Sequence, residues 1–147
     1  MILHLAPGLL DQLIEHGQQA YPQEAAGLLL GSIDGEDRRA LQLLPVPNSF
    51  DEVQRTHRYQ IDPRQMIEAE AQAEAEGLDI VGVFHTHPDH PPVPSAFDLE
   101  WALPWFVYLI TSVEGGQVVD HRAWRLDDER GAFDEVQLSG LPTQEVP

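Results

Sequence analysis

Between Ile80 and Asp98 the chain commits to a strand, a stiff loop and a helix in immediate succession. Ile80-Val81-Gly82-Val83-Phe84 is a short apolar run and reads as a buried strand. It runs straight into His85-Thr86-His87-Pro88, and because side chains alternate across a strand, both histidines leave on the same face. Two imidazoles side by side can grip one metal ion. Pro88, Pro91, Pro92 and Pro94 make the next stretch a poor helix or central strand, so it should be a rigid loop. Ser95 suits a helix N-cap, which places Asp98 in the first turn, facing back toward the loop. Two nitrogens and one carboxylate oxygen then converge with no evident fourth ligand. Three protein ligands and a vacant position are the pattern of a catalytic zinc, whereas structural zinc is usually closed by four.

The rest of the chain has to frame that unit. Ile2 to Leu5 can form a short opening strand. Pro7 suits the first turn of a helix whose apolar face is Leu9, Leu10, Leu13 and Ile14, with Gly17 as its expected stop or a frayed continuation to Ala20. Ala25 to Ser32 reads as a central strand with Glu24 just ahead of it, and Asp34-Gly35 as a hairpin turn into a partner strand, Arg39 to Val46. Asn48 to His57 is a polar loop, and Arg58 to Ile61 a short strand. Asp62-Pro63-Arg64-Gln65 opens a second helix with Asp62 as N-cap, Pro63 in the first position and Gln65 completing a capping-box pattern; Gly77 ends it. The third helix spans Ser95 to about Ala102. Trp105 to Ser112 and Val118 to Arg125 are antiparallel strands turned by Glu114-Gly115-Gly116, and Phe133 to Leu138 adds an edge strand. The division is one domain over 1–139 and a loose tail over 140–147. The class is α/β (α+β), a mixed sheet flanked by helices.

Composition narrows the partners. A formal charge of −17 opposes nucleic acid or an anionic membrane, which both reward basic residues. All eight basic residues are arginines, and the chain has no lysine, a pattern best read as codon usage or a salt-adapted acidic surface. Cysteine is absent, which excludes thiolate metal sites and disulfides. No signal-peptide pattern or stretch long enough to span a membrane is present, so a cytoplasmic location is expected.

His85-x-His87-Pro88, five residues, then Pro94-Ser95-x-x-Asp98 resembles the signature of the JAMM (MPN+) metalloproteases. That family also uses a glutamate ahead of a Gly-Leu-Leu-Gly-like run, matched here by Glu24 before Ala25-Ala26-Gly27-Leu28-Leu29-Leu30-Gly31. The resemblance covers most of Leu9 to about Leu126. It implies a single MPN domain of cytidine-deaminase-like architecture that binds one Zn2+ through His85, His87 and Asp98. Glu24 would move protons between water and leaving amine, and Ser95 would donate to the oxyanion. It also implies a substrate, a ubiquitin-like or sulfur-carrier protein cut after its C-terminal Gly-Gly. The chain looks too short for the inserted segments of the eukaryotic deubiquitinating relatives, which favours small carrier proteins over polyubiquitin. Ala26, Thr86 and Pro92 depart from the family's frequent cysteine, serine and alanine, without removing a ligand or the acid-base residue.

Two other classes compete. MPN domains also serve as non-catalytic scaffolds, but those typically lose motif residues that are all present here. A zinc hydrolase of a small amide or nucleobase would share the architecture, yet a deaminase needs a Pro-Cys-x-x-Cys element that this chain lacks. Asp89, His90 and Glu100 read as exposed, and Trp101 and Trp105 as core or groove wall.

Overall fold

The computed structural model describes residues 1–48, 59–127, 129 and 131–141. The polar loop expected over Asn48 to His57 and the tail beyond Leu141 lie almost wholly outside the described residues. Ten elements follow in order: β1 (Ile2–Leu5), α1 (Leu9–Ala20), β2 (Ala26–Asp34), β3 (Asp37–Val46), α2 (Pro63–Ala75), β4 (Asp79–Pro88), α3 (Ala96–Trp101), β5 (Val107–Glu114), β6 (Gln117–Asp127) and β7 (Ala132–Ser139). The strands form one mixed sheet that closes on itself in the order β1-β3-β2-β4-β5-β6-β7. The hairpins β2–β3 and β5–β6 are antiparallel, β4 runs antiparallel to β2 and parallel to β5, and β1 pairs in parallel with both β3 and β7.

Two apolar clusters occupy the two faces of this sheet. Leu9 and Leu13 of α1 pack with Leu3, Leu29, Phe84 and Leu109 on one side. On the other, Ala69 of α2 packs with Leu28, Val83, Phe106 and Tyr108. The central strands β4 and β5 are therefore covered on both faces, as their continuous apolar sequence requires. β4 shifts register against β2 next to Gly82, where the Val107 carbonyl of β5 occupies the space a Cβ would need.

Four expectations change. Gly17 does not stop α1: it is buried in the helix interior, against the Thr86 methyl. Phe133 to Leu138 lies within β7, which is no edge, because its far side pairs with β1. Tyr59 to Ile61 is not a strand. Asp62 caps α2 by accepting from Arg64 N at 2.9 Å, but the side-chain oxygen of Gln65 is buried without a hydrogen-bond partner among the described residues.

Candidate metal centre

The alternation of β4 sends Phe84 and Thr86 to the α1 side and Val83, His85 and His87 to the α2 side. His85 is fully buried and His87 nearly so. Thr86 serves as the strut between them: its Oγ1 accepts from Ala25 N at 2.8 Å, and the backbone pair Thr86 N to Ala25 O adds 3.1 Å. Those two bonds dock the start of β2, and with it Glu24, beside the histidine pair.

Asp98 reaches the same point from α3. Ser95 caps the helix with a full capping box, Oγ accepting from Asp98 N at 3.1 Å while Ser95 N donates to Asp98 Oδ2 at 2.8 Å. The box freezes the carboxylate rotamer. Nε2 of His85 and Nε2 of His87 lie 3.2 Å apart, His87 Nε2 is 3.1 Å from Asp98 Oδ2, and His85 Nε2 is 3.3 Å from Asp98 Oδ1. Metal–ligand bonds of about 2.0–2.1 Å at tetrahedral angles put neighbouring donor atoms about 3.3 Å apart. The two imidazole nitrogens stand at that spacing, one Asp98 oxygen faces each of them, and the donor set fits a divalent ion that favours nitrogen and oxygen ligands. His87 Nδ1 lies 2.8 Å from the Pro91 carbonyl, which can take its N–H and turns Nε2 toward the cluster. Nδ1 of His85 is buried without a partner among the described residues, and the Tyr59 ring stacks on this imidazole at 4.2 Å.

Glu24 stands beside that cluster, Oε1 3.9 Å from His87 Nε2. It belongs with His85 and His87 to the one group among the described residues that could hold a metal through three mutually close ligand atoms. Its 3.9 Å from His87 is longer than the 3.1 Å and 3.3 Å at which the two Asp98 oxygens approach the imidazoles. Glu24 is only 4% exposed and its Oε2 has no partner among the described residues. Burial, and then the neighbouring Asp98 charge, push its carboxyl up to about 9. Asp98 goes the other way: burial raises it, but the His85 charge and hydrogen bonds from His85, His87 and Ser95 N outweigh that and hold it well below the usual carboxylate range. Burial lowers His85. Two carboxyls in one pocket are thus driven apart, one kept anionic and one kept protonated until a cation arrives.

Every residue singled out in the sequence is in one place: Glu24, His85, His87 and Asp98 converge, and exposed Ser95 borders them. Asp89, His90 and Glu100 are exposed, as expected. Trp101 and Trp105 are groove wall rather than core, at 64% and 61% exposure: Trp101 lines a cavity of about 250 Å³ that also touches Tyr59, Phe97 and Asp98, and Trp105 lines another of about 370 Å³ beside Ala73 and Leu78. Sequence reading missed Tyr59 and the Pro91 carbonyl. Neither carries a spacing signal, since one is a ring stacked across the fold and the other a main-chain atom.

Two buried imidazoles and two buried carboxyls converging, one of them held protonated, is the arrangement of metal-dependent hydrolytic enzymes. The chain belongs to the family of prokaryotic homologs of the JAB domain, whose model matches residues 6–127. It is 36% identical over 118 residues to a desampylase of Haloferax volcanii, covering 77% of this chain and 82% of that one. A desampylase of Pyrococcus furiosus is 32% identical over 109 residues, covering 74% and 72%. Among solved structures, a protein from Desulfitobacterium hafniense superposes with a TM-score of 0.81 at 30% identity, covering 92% of this chain and 90% of that one. A JAB1/MPN domain protein from Archaeoglobus fulgidus, at 19% identity and a TM-score of 0.56 over 95% and 100%, shares the fold.

Proposed function

We propose that this chain is a zinc metallopeptidase and isopeptidase that cuts after the C-terminal Gly-Gly of a ubiquitin-like or sulfur-carrier protein, with residues 1–139 as the catalytic domain. The observation that carries the reading is the convergence of His85 and His87 Nε2, 3.2 Å apart, with an Asp98 oxygen within 3.3 Å of each and Glu24 3.9 Å from His87. The desampylase names of two relatives support a ubiquitin-like conjugate as substrate class. Zn2+ held by His85, His87 and Asp98 would supply Lewis acidity and an acidified water. Glu24, deprotonated once a cation offsets its burial, takes a proton from the attacking water and returns it to the departing amine. Ser95 uses an oxygen lone pair for the cap, which leaves its O–H hydrogen to donate to the oxyanion, so the two roles do not compete. The acidic surface selects against nucleic acid and anionic lipid, and among the described residues no helix is long and apolar enough to cross a membrane.

The deciding experiment incubates zinc-loaded protein with Gly-Gly-terminated carrier proteins that bear short C-terminal extensions or an isopeptide-linked lysine, read by intact mass. The expected product ends at Gly-Gly. Glu24→Gln should still bind zinc yet lose about 10²–10⁴-fold in rate, and chelated enzyme should be inactive. Cleavage that survives Glu24→Gln would overturn the acid-base assignment. No cleavage of any carrier at full zinc occupancy would overturn the substrate class.

A further inference from the structure

The loop joining β4 to α3 is held more tightly than an exposed loop ordinarily is. Asp89 stands at φ 58, a left-handed conformation that Asp tolerates at some cost. Its own N–H donates to Val113 O at 2.7 Å, its Oδ1 accepts from Gly115 N at 2.9 Å, and its Oδ2 accepts from the Tyr21 hydroxyl at 2.7 Å. The next three carbonyls are each taken by a side chain from a different strand. His90 O accepts from Ser112 Oγ on β5, Pro91 O faces His87 Nδ1 on β4 at 2.8 Å, and Pro92 O accepts from Trp124 Nε1 on β6 at 2.9 Å. Loop carbonyls usually turn to water. Here the two outer carbonyls are fixed so that the middle one cannot leave the imidazole.

We infer that Asp89 (with Tyr21) and Trp124 are positioning residues for His87. They hold the Pro91 carbonyl at Nδ1, which fixes the ring plane and gives the Nδ1–H an acceptor, so that Nε2 is the nitrogen turned to His85 and Asp98 and the one that ligates when a metal binds. A neutral imidazole carries one N–H, so the carbonyl that takes it decides which nitrogen is free to ligate. This inference rests on reading His87 as a metal ligand and on nothing about the substrate.

The test is made without substrate. In Zn2+-loaded, ¹⁵N-labelled protein, long-range proton–nitrogen spectra read which His87 nitrogen keeps its proton, and competition titration with Zn2+ reads affinity. Wild type should show a single Nδ1–H tautomer. Trp124→Phe keeps a ring and removes the donor, and Asp89→Ala removes both anchors. Each should give a mixed tautomer and about 10–100-fold weaker Zn2+ binding, the usual consequence of losing a group that orients a ligand. Asp89→Asn, which keeps an acceptor oxygen, should recover part of the loss. A merely structural role would lower the melting temperature and leave tautomer and affinity of the folded protein unchanged, which overturns the inference. So would an Nε2–H tautomer in wild type. Should Asp89→Ala not fold, Trp124→Phe decides alone by the same criteria. Failure to cleave any carrier protein would leave this result untouched.

Discussion

Glu24 shows how a single side chain can be unfavourable to the empty fold and still necessary. Its carboxyl is pushed up to about 9 from an ordinary 4.5, so between those values the metal-free folded protein keeps a proton that the unfolded chain has released. The folded state binds more protons, hence its stability falls as pH rises through that window. Glu24→Gln removes the term. Chelated Glu24→Gln should match chelated wild type near pH 4.5 and exceed it increasingly as pH rises to 8, by up to about 1.4 kcal/mol per pH unit, read by urea unfolding at both ends. A gap that is constant with pH would mean the glutamate is not held protonated. At this scale the ligands were legible and their neighbours were not. His85, His87 and Asp98 lie within one strand–loop–helix passage, where alternation and an N-cap fix side-chain direction locally. Glu24 belongs to another strand, and only family resemblance brought it to the site; the Thr86 Oγ1 to Ala25 N bond that docks it crosses 61 residues of sequence.

Elements were read well where their periodicity is internal, and misread where a neighbour overrides it. α1 is the clear case. Gly17 looks like a stop because glycine is about 1 kcal/mol poorer than alanine inside a helix. It persists because α1 crosses β4 there, leaving an added Cβ only 3.0 Å from Thr86 Cγ2. Thr86 is fully buried and tethered through Oγ1 to Ala25 N at 2.8 Å, so it cannot yield without disturbing the histidines on either side. Gly17→Ala should therefore lose more by crowding than it gains in propensity, a net cost of about 1–2 kcal/mol by urea unfolding. Zn2+ affinity should fall with it. Adding Thr86→Ser, which removes the offending methyl and keeps the hydroxyl, should restore both. If Gly17→Ala alone is more stable than wild type, the close crossing is not what keeps the glycine.

At the scale of the molecule, closure is what the sequence concealed. β1 pairs in parallel with both β3 and β7, joining the two ends of the described chain, and no local pattern announces pairing over that separation. Closure also gathers a formal charge of −17 into one small domain. Relief from ion pairs is slight: among the described residues, the arginine salt bridges are those of Arg122, 3.5 Å from Asp120 and 3.9 Å from Glu135, all about half exposed. Exposed pairs of that kind contribute little. Self-repulsion should thus oppose the compact state, and salt should relieve it. The range of salt over which this happens identifies the cause. The screening length falls from about 30 Å at 0.01 M to about 10 Å at 0.1 M, so most repulsion between separated surface charges is removed by then. Exclusion of salt from the surface, by contrast, stabilises progressively into the molar range. The melting temperature of the metal-free protein should climb steeply between 0.01 and about 0.2 M sodium chloride and flatten above it. A flat response below 0.2 M, followed by a steady rise, would show that the acidic surface costs this fold nothing and that salt acts only through the solvent.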